Sequence, residues 1–120
     1  GQATATDIAD PRPATTNDVP AGFPVGVTIV TWTAQDASGN IATDTQQITI
    51  IDTTTPDITA PIDQTFEATG PMTTPTFNPI ATASDIADPD PVITYTPQSF
   101  PVGENQVVTW RATDDSGNYF

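Results

Sequence analysis

The chain has 120 residues and a formal net charge of −13, with no His, Cys or Lys; Arg12 and Arg111 are its basic side chains, against 13 Asp and two Glu. This balance excludes nucleic acid as a default partner, because phosphate binding needs a basic footprint, and it argues against adsorption on anionic lipid. No apolar run approaches the ~20 residues of a bilayer span, and the commonest general bases and nucleophiles are missing.

A hydrolase built on a pair of carboxylates needs one acid that is buried and one that is paired, and nothing marks such a pair, so the chain reads as a non-enzyme. No signal peptide is visible, which fits a mature chain or an excerpt of one. The acids are mostly Asp, which favours turns and caps, rather than the helix-favouring Glu. Thr and Val are frequent and Pro numbers 13, a composition that favours strands and stops helices. No segment places apolar residues at i, i+3, i+4 and i+7 over three turns. The expected class is all-β, with no disulfide to close the fold.

In chain order, ATATDIADPRP (Ala3 to Pro13) comes first and returns as ATASDIADPDP (Ala81 to Pro91). FPVGVTIVTWTAQDASGN (Phe23 to Asn40) likewise returns as FPVGENQVVTWRATDDSGN (Phe100 to Asn118). Asp7 and Asp85, Trp32 and Trp110, and Gly39 and Gly117 all stand 78 residues apart. That period suits one small β domain and is too long for a solenoid coil. Residues 52–120 read as a second repeat lacking its last strand, and residues 1–51 as the C-terminal part of a preceding repeat. The chain is thus expected to be a window on a tandem array, or to receive missing strands from a neighbouring molecule by strand addition.

The strand Thr28–Ala34 alternates, with Val30, Trp32 and Ala34 on one face and Thr31 and Thr33 on the other. Its copy puts Val108, Trp110 and Ala112 inward and Thr109 and Arg111 outward. Both Trp residues read as core anchors. The tip DASGN turns the chain, and Ile41–Ile51 returns as the hairpin partner. Further strands are expected near Ile58–Pro61, Gln64–Ala68, Thr76–Ala81 and Val92–Thr96.

FPVG, then a strand ending in WTA, then D-x-SGN, then a strand leading into DTTTPDITAP resembles the hyalin-repeat (HYR) module, as does ATDIADP earlier in the repeat. The resemblance covers about one and a half copies. It implies an immunoglobulin-like β-sandwich, tandem arrays and extracellular adhesive or structural roles, without catalysis. Members of the family often carry a Cys pair where Asp44 and Ala60 stand here. Asp44 and Gln46 also fall at positions that are inward in the family, which puts the inner face of that strand in doubt.

In such a sandwich the loop Ser84–Pro91, the tip Asp114–Asn118 and the linker Asp52–Asp57 share one pole. Asp52, Asp57, Asp85, Asp88, Asp90, Asp114 and Asp115 are expected to converge there, at the junction between domains. Asp7, Asp10 and Asp36 occupy the matching pole of the first repeat. Two carboxylates at ~4 Å repel by about 1 kcal/mol in water and about 4 at an intermediate dielectric. With no Lys to neutralise them, a hard cation is the natural partner. Calcium, which takes six to eight oxygens, fits better than magnesium. The alternative is plain solvated turns, since Asp, Ser, Gly and Asn make tight turns without any ion.

The expected function is a structural repeat of an extracellular fibre, stalk or adhesin-like surface protein, with calcium stiffening the joints. Its partners would be neighbouring repeats of the same chain or identical chains. The alternative is a carbohydrate- or protein-binding adhesion module without a structural ion, to which Tyr95, Tyr119 and Phe120 would contribute. The Thr/Pro runs Thr53–Pro56 and Thr73–Thr76 offer positions for O-glycans.

Overall fold

The computed structural model describes residues 1–120 and contains strands and turns but no helix. The chain divides into two compact units, Gly1–Ile51 and Asp52–Phe120.

The first unit is a three-stranded antiparallel sheet in the order β1-β2-β3, made of Ala14–Asn17, Gly26–Gln35 and Ile41–Ile50. The long hairpin forms because β-branched residues alternate on both sides of a tip that glycine can turn: Gly39 has φ +91°, a value that L side chains rarely adopt. Residues facing each other across the ladder share a side of the sheet. Trp32 therefore stands opposite Asp44 and Val30 opposite Gln46. Val30 is 1% exposed and anchors this unit. The face of β3 that Trp32 shares is polar and exposed at Asp44 and Gln46, and the half-buried Trp32 meets it through its indole N–H, which donates to Gln46 Oε1 at 3.1 Å.

The second unit holds β4 (Asp57–Thr59), β5 (Met72–Thr73), β6 (Thr82–Ser84), β7 (Val92–Thr96), β8 (Phe100–Pro101) and β9 (Thr109–Thr113). They pair antiparallel as β4-β6, β5-β8 and β7-β9, and β4 also lies against β9. Ala81 and Ala112 are sealed in the core. Beside them runs an aromatic chain: Phe66 on Phe77 at 5.4 Å, and Phe77 on both Tyr95 and Trp110 at 5.1 Å, all edge-to-face. Such pairs each add about 0.5–1.5 kcal/mol beyond their buried area. Beyond the tip, Tyr119 bridges to Thr113 and Phe120 exchanges two backbone hydrogen bonds with Ala112.

Two expected strands differ. Gln64–Ala68 is irregular: the Gln64 side chain donates to the Pro79 carbonyl at 2.8 Å and accepts from Asn78 N–H at 3.0 Å, taking the place of a backbone ladder. Thr76–Ala81 is also irregular, since Pro79 has no N–H to give to a sheet, and the strand lies instead at Thr82–Ser84.

Candidate metal centre in the second unit

Three peptide segments meet at one pole of the second unit: its first residues, the loop after β6 and the tip after β9. Each is shaped by an Asp that folds its carboxylate back onto local amides. Asp52 Oδ1 accepts from Thr54 N–H at 3.1 Å and from the Thr54 hydroxyl at 2.6 Å. Asp85 Oδ1 accepts from Ala87 and Asp88 N–H at 2.8 and 3.0 Å. Asp114 accepts from Asn118 N–H and from the Asn118 side-chain amide, both at 2.8 Å. Gly117, at φ +88°, lets the tip close, with its N–H on the Asp114 carbonyl at 3.1 Å.

Two bridges hold the segments together. Asp88, 7% exposed, uses one oxygen on Asp90 N–H and the other on Asp115 N–H, both at 2.9 Å; it staples the loop to the tip. The Asn118 side-chain amide also reaches the Asp52 carbonyl at 3.3 Å, tying the tip to the first residue of the unit.

As a result, Asp52, Asp85 and Asp114 each present a carboxylate oxygen, and these three oxygens lie within 4.8 Å of one another. Asp114 is buried and the other two are half-buried. The Thr54 hydroxyl sits between two of them, 3.4 Å from Asp85 Oδ2. The Ala87 amide first, then the Asp88 amide, holds the Asp85 carboxyl below its ordinary pKa, so it is ionised at neutral pH. Arg111 does not serve this cluster; its guanidinium lies over the Tyr119 ring, 3.6 Å from the centroid.

The remaining acids fall outside the trio. Asp57 opens β4 opposite Ser84 and is exposed. Asp90 and Asp115 are exposed and contribute their amides to Asp88. In the first unit the pattern of the loop and tip recurs. Asp7 Oδ1 binds Ala9 and Asp10 N–H at 2.7 and 2.8 Å. Asp10 binds Arg12 N–H at 2.8 Å and Ala37 N–H at 3.0 Å. Asp36 binds Ser38 N–H, Asn40 N–H and the Asn40 side chain at 2.9, 2.8 and 2.7 Å. The Asn40 side-chain amide is the main reason that the Asp36 carboxyl stays below its ordinary pKa. No group of three carboxylates forms among these residues.

Sequence reasoning did not name Thr54 or assign Asn118 a bridging role. The signal for Thr54 was there, in a Thr two residues after an Asp ahead of Pro56, the pattern of a side-chain-capped turn.

The profile of the HYR domain matches residues 1–50. The chain belongs to the HYR family. Curated relatives extend the likeness over both units of this HYR chain. It is 40% identical over 128 aligned residues to Hyalin of Lytechinus variegatus, an alignment that covers 96% of the chain and 23% of the relative. It is 38% identical over 125 residues to Hyalin of Strongylocentrotus purpuratus, which covers 96% of the chain and 10% of the relative. The HYR chain therefore spans about a quarter and a tenth of the relatives it matches. No solved structure matches it. No helix is long and apolar enough to cross a membrane.

Proposed function

We propose that this HYR chain is a non-enzymatic, extracellular segment of a tandem array of immunoglobulin-like sandwiches with a repeat of 78 residues, acting in structure or adhesion, and that calcium occupies the Asp52, Asp85 and Asp114 pole. The observation that carries the calcium reading is the approach of three carboxylate oxygens to within 4.8 Å, with no basic side chain to neutralise them. The donor set is all hard oxygen, which matches calcium; backbone carbonyls and water complete its six to eight ligands. Magnesium demands a tighter octahedron.

Asp52 follows Ile51 directly, so an ion on Asp52 fixes the backbone where the second unit begins. That removes hinge freedom in a fibre, stalk or adhesive layer. Its neighbours are repeats of the same chain or identical chains, including by donation of a strand. Extracellular modules bind calcium at ~10⁻⁴–10⁻³ M, a range that suits an outside, calcium-rich medium.

The test is thermal unfolding of the chain in calcium, in magnesium and in excess chelator. At 100 times the dissociation constant, calcium should add about 2.7 kcal/mol, and D85N and D114N should each abolish the shift. A melting temperature indifferent to calcium in the wild-type chain overturns the metal reading.

A second reading rests on a groove of ≈ 480 Å³ in the first unit, whose lining includes Trp32, Asp44, Gln46 and Thr15. An aromatic face among hydroxyl, amide and carboxylate groups is the chemistry that grips a sugar. W32A should then abolish glycan binding; a wild-type chain silent on a broad glycan array removes this reading. The aromatics named from sequence take other roles: Tyr95 packs on Phe77 and Trp110, and Tyr119 lies under Arg111.

A further inference from the structure

The two most exposed large apolar side chains of the molecule are Ile8, at 107%, and Ile86, at 90%. They are the same residue of the repeated DIADP loop. Scattered exposed apolar residues are ordinary, but these two stand at the tips of loops that cannot fold back to hide them. In each loop the Asp before the Ile binds the two amides after it, and the second Asp of the loop binds one amide on its far side and one from the neighbouring hairpin tip. A loop backbone held in this way loses little freedom on docking.

Its surroundings are acidic. Ile86 lies between Asp85 and Asp88, with Asp90 and Asp115 bonded into the same network and exposed; Ile8 lies between Asp7 and Asp10. At these loops a second copy, also at −13 with two Arg, meets like charge. Anionic lipid and nucleic acid are repelled for the same reason. Charge complementarity leaves a cationic surface.

We propose that the DIADP loops are rigid docking knobs, each presenting one exposed isoleucine from an acidic loop to a basic protein surface that carries an apolar pocket. Each of the two units carries one such knob. The inference does not rest on the metal reading, and its test is run in chelator.

Random peptides displayed on phage are selected on the wild-type chain and counter-selected on I8S/I86S. The surviving sequences are expected to combine Lys or Arg with a large apolar residue, and to bind the double variant about tenfold more weakly. I8L/I86L, which keeps an apolar tip, should retain binding; an unchanged melting temperature shows that the variants fold. D90N/D115N should weaken the same peptides and flatten their salt dependence. The proposal is overturned if no peptide discriminates the wild type from I8S/I86S, if the discriminating peptides are neutral or acidic, or if D90N/D115N leaves the salt dependence unchanged.

Discussion

Replacing Asp88 by Ala removes one side chain and two bonds at once. The carboxylate is 7% exposed and accepts from Asp90 and Asp115 amides, each at 2.9 Å. A hydrogen bond to a charged group contributes about 1.5–3 kcal/mol net. Against their sum stands the relief of no longer burying a carboxylate. The Asp115 and Asp90 residues are exposed, so water recovers part of each lost bond. The balance is a loss of about 2 kcal/mol, which in a unit of this size lowers the melting temperature by about 8–16 °C. Asp10→Ala breaks the corresponding bonds, at 2.8 and 3.0 Å, around a half-buried carboxylate, and should cost about half as much because solvent already screens it. Circular dichroism melting of the whole chain reads the global effect, and amide exchange at Asp115 reads the local one. If D88A melts within about 2 °C of the wild type and the Asp115 amide keeps its protection, the staple is not what joins the loop to the tip.

Val30→Ala, at a side chain 1% exposed, should destabilise by about 2 kcal/mol from lost burial and the cavity left behind, read as a lower urea midpoint; a cost under about 0.5 kcal/mol would show that the sheet collapses freely around it. Gly117→Ala places a Cβ in open space but at φ +88°, so its cost is backbone conformation alone, about 1–2 kcal/mol; Gly39→Ala at φ +91° should match it, and a neutral result at either site in urea unfolding refutes the strain. The Asn40 side-chain amide holds the Asp36 carboxyl, and the Ala87 amide the Asp85 carboxyl, below the ordinary carboxylate pKa in the folded chain. Depressed folded values contribute stability that is present above the unfolded pKa and lost as pH falls through the folded one. Their contribution should therefore hold above about pH 4 and fade beneath it, and carboxyl-carbon NMR titration placing either group at or above the ordinary Asp value contradicts the amide-held geometry.

The hairpin and its turn were readable because they rest on local rules: alternation from Thr28 to Ala34, a tip of Asp, Ser, Gly and Asn, and a β-branched return. Val92–Thr96 was legible for the same reason and is strand β7 as bounded from sequence. Ala14–Asn17, Met72–Thr73 and Phe100–Pro101 escaped notice because short strands with few apolar residues carry no period; their partners decide them. Gln64–Ala68 and Thr76–Ala81 misled through apolar content: Phe66 packs on Phe77, and Phe77 on Tyr95 and Trp110, rather than filling a ladder. At the acidic pole, composition and topology point to many Asp residues in one region. They do not show which oxygens face each other, because that depends on which carboxylates are already bonded to amides. Asp88 and Asp10 use both oxygens on amides of two different segments. Asp52 and Asp85 bond amides through one oxygen only, Asp114 uses both on Asn118 alone, and one oxygen of each of these three comes within 4.8 Å of the others.

The staple recognises a peptide N–H rather than a side chain. Asp10 binds the backbone of Ala37, and Asp88 binds the backbone of Asp115. The architecture is therefore indifferent to what that position carries, and one repeat has a methyl group where the other has a charge. The residue after the tip Asp is a free variable in each copy. Each unit can alter the charge of its own pole by a single substitution there without retuning the fold that supports it, so the two units of this chain share one local geometry while differing in their electrostatics.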